Sequence, residues 1–252
     1  MTEKQADEKQ ATVMLAADVS SYSITTVNLA VEMAASVQTG LIGLFIEDED
    51  LLRISGLPCT REITLTTTRE RPTSINQMQR SLQAAALQFK KSLQREAQAS
   101  QIAWRFDTVR GRMRDIGLKP RLDVSYTILG HPLSHRLQLG QLRKARRILL
   151  VLDDSPRQKH ALEVVLRRFQ HEKVELVVVG EDPGIDVSSV SASRTGREDN
   201  EIEIVRVNRN ELPGLLAGAG HNFDYAILSQ HEKAEELARM LNDLRCPAIL
   251  VA

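Results

Sequence analysis

Residues 13–48 read VMLAADVSSYSITTVNLAVEMAASVQTGLIGLFIED, and this stretch decides the fold class. The apolar run at 13–17 has the length of a strand, and apolar residues then recur every three or four positions between Ile24 and Ala34, as on the buried face of a helix. A second run at 41–46 is continuously apolar, which is typical of a strand covered on both faces. Strand, helix and strand in this order predict a βαβ unit in a parallel sheet.

Alternating helix and strand patterns continue after this unit. The polar residues 61–72 are expected to form a loop. Residues 74–100 carry apolar side chains at spacings of three and four, which predicts one long amphipathic helix. Runs at 103–109 and 124–129 predict two further strands.

The same pattern restarts in the second part of the chain. VMLAADVSS at 13–21 matches ILLVLDDSP at 148–156, which aligns Asp18 with Asp153 and Ser20 with Ser155 at a shift of 135 residues. Two other pairs of segments match: LIGLFIED at 41–48 with ELVVVGED at 175–182, sharing Glu-Asp at a shift of 134, and DVSYTILG at 123–130 with DYAILSQ at 224–230.

This internal duplication predicts an α/β protein with two tandem domains, each with a parallel sheet flanked by helices. The predicted limits are a polar N-terminal tail at 1–11, a first domain at 12–141 and a second, shorter domain at 142–252.

The order of these motifs resembles that of the universal stress protein family. It consists of a strand followed by Asp-x-Ser and a helix, then a second strand, and later a fourth strand that ends in Leu-Gly. The C-terminal segment from Cys246, CPAILV, resembles the fifth strand of that family. The resemblance covers most of both halves and implies two tandem Rossmann-like domains, each with a five-stranded parallel sheet. It also implies a role in stress survival and, in some members, ATP binding. In family dimers the fifth strand commonly joins two sheets. The first half lacks an obvious fifth strand, so we expect a homodimer, although a tandem chain can make the same contact internally.

The resemblance also implies a nucleotide cleft at the carboxyl ends of the strands of the first domain. In nucleotide-binding relatives the Asp after the first strand contacts the nucleotide, and Asp18 occupies that place. The cofactor-binding residues implied in this way are Asp18, Ser20, Ile46 and Gly130.

The phosphate loop of ATP-binding relatives is incomplete in this chain. Those relatives carry Gly-x-x-Gly, nine residues, and then Gly-Ser or Gly-Thr after the fourth strand, because glycines allow backbone N–H groups to surround phosphate oxygens. Here Gly130 is in register, but Leu133 takes the place of the second glycine, and Arg143 and Lys144 take the place of the final pair. Residues 221–252 contain no glycine. We therefore expect no cofactor, with ATP as the alternative.

Four consecutive acids at 47–50 follow the second strand. They are compatible with a metal site, with catalytic carboxylates or with the start of a helix, and we favour the last, with Asp48 as the helix cap. His131 and His135 have a spacing that suits two metal ligands, but Pro132 lies between them and no third ligand is evident. No metal site and no catalytic residue is expected.

The charge distribution and the cysteine content limit which partners and which cellular location we expect. Formal net charge is zero, yet residues 100–150 hold eleven Lys and Arg against three Asp, a local charge of +8 (11 − 3). We favour ordinary surface residues as the explanation; the alternative is a docking face for an acidic protein partner or a phosphate-rich ligand. The scarcity of aromatic residues among the charges disfavours nucleic acid. No apolar stretch approaches about 18 residues, so no membrane span is expected. Two isolated cysteines, Cys59 and Cys246, favour a reducing cytoplasm.

From these observations we expect a non-enzymatic, cytoplasmic, universal stress-like protein that binds and regulates in the stress response. The alternative is an ATP-binding universal stress protein with an atypical phosphate loop and weak ATPase activity.

Overall fold

The computed structural model describes residues 12–58, 60–63, 70–119, 121, 123–131, 145–152, 155–180, 202–217 and 223–252. The first half, residues 12–131, contains β1 (Thr12–Ala17), α1 (Ile24–Ser36), β2 (Leu41–Asp48), α2 (Glu49–Ser55), β3 (Arg61–Ile63), β4 (Glu70–Pro72), α3 (Ile75–Ala99), β5 (Trp104–Gly111), α4 (Met113–Gly117) and β6 (Val124–Leu129). The second half, residues 145–252, contains β7 (Arg146–Val151), α5 (Pro156–Arg168), β8 (Val174–Val179), β9 (Ile202–Val207), a 3₁₀ turn (Arg209–Glu211), α6 (Leu212–Ala217), β10 (Tyr225–Ser229), α7 (Ala234–Asp243) and β11 (Ala248–Val251).

One nine-stranded sheet runs through both halves, in the order β5-β2-β1-β6-β11-β10-β7-β8-β9. Every neighbouring pair is parallel except β6 and β11. Alternate side chains of each strand enter two cores, one on each face. One core includes residues of α1, α3 and α5, and the other includes residues of α4, α6 and α7. The predicted α/β class, with a mostly parallel sheet flanked by helices, is confirmed.

The two halves share strand order and register. Their sheets run β5-β2-β1-β6 and β9-β8-β7-β10, so each first strand lies between its second and fourth. Leu41 pairs with Val13 in the first half, and Leu176 pairs with Ile148 in the second, which gives a shift of 135 residues for both strands. The sequence match of 41–48 with 175–182, at a shift of 134, therefore differs by one residue from the register of β2 and β8. The Glu-Asp pair at 181–182 lies outside the described part of the chain.

The halves meet where β11 pairs with β6 in an antiparallel ladder. Ile249 lies beside Ile128 and Val251 lies beside Tyr126. The fifth strand of the second half therefore occupies the position beside β6 that a fifth strand of the first half would take. The uncovered edge on which we based the homodimer is filled within the chain. The outer strands of the sheet are β5 and β9, and the homodimer stays a prediction.

Helix α1 also contacts α5 across the junction. Glu32 forms an ion pair with Arg168 at 2.7 Å, and the Ser36 hydroxyl lies 2.9 Å from Nε2 of His160. Both cores contain side chains from the two halves. The predicted boundary between domains, at 141 and 142, lies outside the described residues, so the division into domains stays a prediction.

Two further predictions meet the structure here. The long helix predicted at 74–100 is confirmed by α3. The loop predicted at 61–72 is wrong at its two ends, where β3 and β4 form a small antiparallel ribbon; strands of three polar-rich residues leave no apolar periodicity in a sequence. Within the described ranges, no helix is long and apolar enough to cross a lipid bilayer.

The shared sheet and cores predict that the halves unfold together. Leu176 and Leu41 occupy equivalent positions and are each 1% exposed, so Leu176→Ala and Leu41→Ala should each cost about 2–5 kcal/mol. The only tryptophan, Trp104, lies beside Leu41 in the first half. We expect both variants to lower the thermal midpoint of Trp104 fluorescence. A shift with Leu41→Ala alone would show that the halves unfold independently.

Candidate functional site

A cleft of about 400 Å³ opens at the carboxyl ends of β1, β2 and β6. The chain leaves β1 for β2 on one side and later returns to β6 on the other. Ligands of open α/β sheets bind at such a switch in strand order. The described residues that line the cleft are Asp18, Ser21, Asp48, Asp50, Arg112, Met113, Leu129, Gly130, His131, Leu241, Asn242, Cys246 and Ala248.

The Asp18 carboxylate holds the turn that follows β1. Its Oδ1 accepts hydrogen bonds from the backbone N–H of Ser20 at 2.8 Å, the Ser20 hydroxyl at 2.7 Å and the backbone N–H of Ser21 at 2.8 Å. Ser20 is exposed, and its hydroxyl is committed to this turn. The N-cap of α1 is Ser23, three residues after Ser20, and its side chain accepts a hydrogen bond from the Thr26 N–H.

The matched serine of the second half has a different role. Ser155 caps α5 directly and accepts a hydrogen bond from the Gln158 N–H at 3.1 Å. Ser155 therefore caps its helix, whereas Ser20, its match in the first half, does not. The physical reason is that the turn between β1 and α1 is longer than its counterpart between β7 and α5.

Gly130 faces backbone instead of open space. A Cβ atom at this position would lie 2.3 Å from the Ser21 carbonyl oxygen, far inside contact distance. The Gly130 N–H already donates to the Ala16 carbonyl at 3.2 Å. The close approach of two chain segments thus explains this glycine without a phosphate.

Ile46 lies in the core beneath the cleft. Its side chain is fully buried and packs in the same apolar cluster as Met14 and Leu44. Of the four cofactor-binding residues that the resemblance implies, Asp18 and Gly130 line the cleft, whereas Ser20 and Ile46 are not among its described lining residues.

The acidic run at 47–50 spans the end of β2 and the start of α2. Asp48 is the N-cap of α2, and its Oδ1 accepts from the Asp50 N–H at 2.8 Å, as predicted. Both oxygens of Asp50 accept from Arg112, at 2.9 and 3.1 Å, and Glu47 pairs with Arg110 at 3.3 Å. In the part of the chain that the structure describes, no group of three or more His, Cys, Asp or Glu residues is arranged to hold a metal ion.

Arginines of the basic 100–150 region pair with carboxylates of the same chain. Besides Arg110 and Arg112, Arg105 lies 3.3 Å from Asp123. Two more arginines pair across the second half: Arg146 with Glu172 at 2.5 Å, and Arg147 with Glu175 at 2.5 Å. Much of the local positive charge is therefore compensated internally. Docking of an acidic protein on this region stays a prediction.

The second half forms one wall of the cleft. Leu241 and Asn242 come from the end of α7, and Cys246 and Ala248 come from the segment that enters β11. Burial and the nearby guanidinium of Arg245 lower the pKa of His131, which also hydrogen-bonds to the backbone of Leu244. Burial raises the pKa of the Cys246 thiol, so the thiol stays protonated near neutral pH.

Sequence reasoning missed Arg112 and this second wall. The predicted third strand ended at Val109, but β5 runs on to Gly111 and leaves Arg112 at the carboxyl edge of the sheet. The C-terminal segment CPAILV, predicted as a fifth strand, is the part of the sequence that could have led to this second wall. Once that strand is placed beside β6, the residues around Cys246 come next to Gly130.

Several predicted features lie outside the described residues: the tail at 1–11, Cys59, Pro132, Leu133, His135, Arg143, Lys144, Asp153 and the Glu-Asp pair at 181–182.

A comparison with family models found none that matches this chain, and no curated protein sequence matches it. The resemblance to universal stress proteins therefore rests on the motifs and their order, and it stays a prediction.

The cap of α2 gives one test of the acidic run. Asp48→Ala removes the acceptor of the Asp50 N–H and should lower the free energy of unfolding by about 0.5–2 kcal/mol, whereas Asp48→Asn keeps an equally good cap. Urea unfolding of both variants is the measurement. Equal losses for Ala and Asn would show that the charge, and not the cap, stabilises the helix.

Gly130 gives a second test. Gly130→Ala should destabilise the chain by about 1–3 kcal/mol, because the added methyl group overpacks against the Ser21 carbonyl. Gly214→Ala is the matched control: a Cβ there meets nothing within 4 Å, and alanine within α6 should stabilise by about 0.5–1 kcal/mol. Thermal unfolding of both variants measures the difference. An unchanged midpoint for Gly130→Ala would contradict the close packing.

Proposed function

We propose that this chain is a non-enzymatic binding and regulatory protein of the stress response, built like a universal stress protein. The repeated motif order and the shared register of the two halves support this proposal. The cleft at the switch in strand order gives such a protein a place for a regulatory ligand.

The observation that favours a role without ATP is the chemistry of that cleft. Three carboxylates line it, from Asp18, Asp48 and Asp50, and they repel a triphosphate. The only cation among the described lining residues is the Arg112 guanidinium, which is bound through two nitrogens to both oxygens of Asp50. Gly130, the glycine expected at the phosphates, is packed against the Ser21 carbonyl.

The nucleophiles of the cleft support a role without catalysis. The Ser21 hydroxyl oxygen accepts a hydrogen bond from the Asp18 N–H at 2.9 Å, and this bond helps to hold the turn. Cys246 is 2% exposed, and the raised pKa of its thiol keeps it in the weakly nucleophilic protonated form. Neither group is paired with a base in the described contacts of the cleft, as a covalent mechanism requires.

The alternative is an ATP-binding universal stress protein with weak ATPase activity, in which Asp18 contacts the adenosine and Gly130 lies near the phosphates. The position of the cleft favours this alternative, since nucleotides of Rossmann-like sheets bind at the same edge.

Calorimetry with Mg-ATP separates the two functions. We expect no binding with a dissociation constant below about 10 μM, which corresponds to roughly −7 kcal/mol. Asp18→Asn is the control variant, because its amide oxygen still accepts the hydrogen bonds of the turn while the charge is lost. Tighter binding of Mg-ATP that depends on Asp18 would contradict the proposal and establish the alternative.

A further inference from the structure

The cleft belongs to both halves of the chain. One wall comes from the strand ends of the first half, and the other comes from α7 and the segment before β11. The antiparallel pairing of β11 with β6 brings the walls together, with Ala248 directly beside Leu129. A ligand in this space touches residues more than 100 positions apart in the sequence.

The cleft offers an apolar surface next to a polar one. Met113, Leu129, Leu241 and Ala248 supply apolar side chains from both halves. Its volume of about 400 Å³ lies within the range of roughly 300–1,000 Å³ that is usual for small-molecule sites. The space therefore fits a compact organic molecule with an apolar body.

The charges select the sign of the polar group. The described lining residues include one guanidinium and three carboxylates, a formal charge of −2 (1 − 3) with His131 neutral. In the described contacts, Asp18 and Asp48 each use only Oδ1 for the turn and the helix cap, which leaves Oδ2 of each for a donor on a ligand. An ammonium group presents three such donors, whereas a fully ionised phosphate or carboxylate presents none.

We infer that the cleft is a single site shared by both halves, with α7 and the segment before β11 as its second wall, and that it takes a compact organic cation with an apolar body. This inference rests on the proposed binding function. It gives the second half a direct part in recognition, through Leu241 and Asn242 beside the strand ends of the first half.

The ligand class is tested with two probes of the same shape and opposite charge: tyramine, which carries an ammonium group, and 3-(4-hydroxyphenyl)propionate, which carries a carboxylate. Ligand-observed NMR titration of the full chain should show saturable binding of tyramine and none of the carboxylate. Equal binding of the two probes, or no binding of tyramine, overturns the assignment of a cation. The result with Mg-ATP is independent of this one, so failure of the ligand class is distinguishable from failure of the proposed function.

The carboxylates are tested by variants that keep their structural hydrogen bonds. Asp18→Asn and Asp48→Asn remove charge but keep an acceptor at the turn and at the cap. Each should weaken tyramine binding about tenfold, in line with the loss of a charged hydrogen bond. Glu203→Gln, on the exposed side of the outer strand β9, is the matched charge control and should leave binding unchanged. Loss of binding in all three variants, or in none, contradicts the site.

The second wall is tested by filling it. Asn242 lines the cleft, and its neighbour Asp243 does not. Asn242→Trp should therefore abolish tyramine binding, whereas Asp243→Trp should preserve it; thermal unfolding confirms that both variants fold. Unchanged binding in a folded Asn242→Trp variant would show that the site belongs to the first half alone.

Discussion

The antiparallel pairing of β11 with β6 is the contact on which the rest of the architecture depends. A parallel α/β half leaves its fourth strand with an open row of backbone donors and acceptors, and such an edge recruits another strand. Here Ile249 and Ile128 are ladder partners, so the edge is satisfied within the chain and two four-stranded patterns become parts of one sheet. The same contact brings the end of α7 to the mouth of the cleft.

Ion pairs between neighbouring segments determine the charge of the cleft. The basic segment that follows β5 lies beside the acidic start of α2, because β5 and β2 are ladder neighbours. Arg112 is therefore fixed on Asp50, and Arg110 pairs with Glu47. A region that looks strongly positive in the sequence thus supplies counter-ions for its own chain, while Asp18 and Asp48 keep the cleft negative.

The two copies of the repeat differ where one turn is longer. Tyr126 and Tyr225 hold the same register against Val13 and Ile148, which places Ser229 where the first half has Gly130. Glycine is needed in the first half because the long turn after β1 brings the Ser21 carbonyl against that position. In the second half the turn from β7 to α5 is two residues shorter, and Ser229 stands where the first half has glycine.

The sequence by itself determined the local elements and their repetition. The spacing of apolar residues, the capping side chains and the matched Asp and Ser positions predicted three features: the parallel α/β class, the long helix α3 and the cap at Asp48. Helices, strands and caps depend mainly on neighbours only a few residues away, so a sequence pattern can predict them. Only the tertiary structure decided which strand covers β6, that Gly130 packs against Ser21, and that Arg112, Asn242 and Cys246 share one cleft. These contacts join residues far apart in the chain, and their geometry depends on ladder register and turn length, which apolar periodicity does not encode.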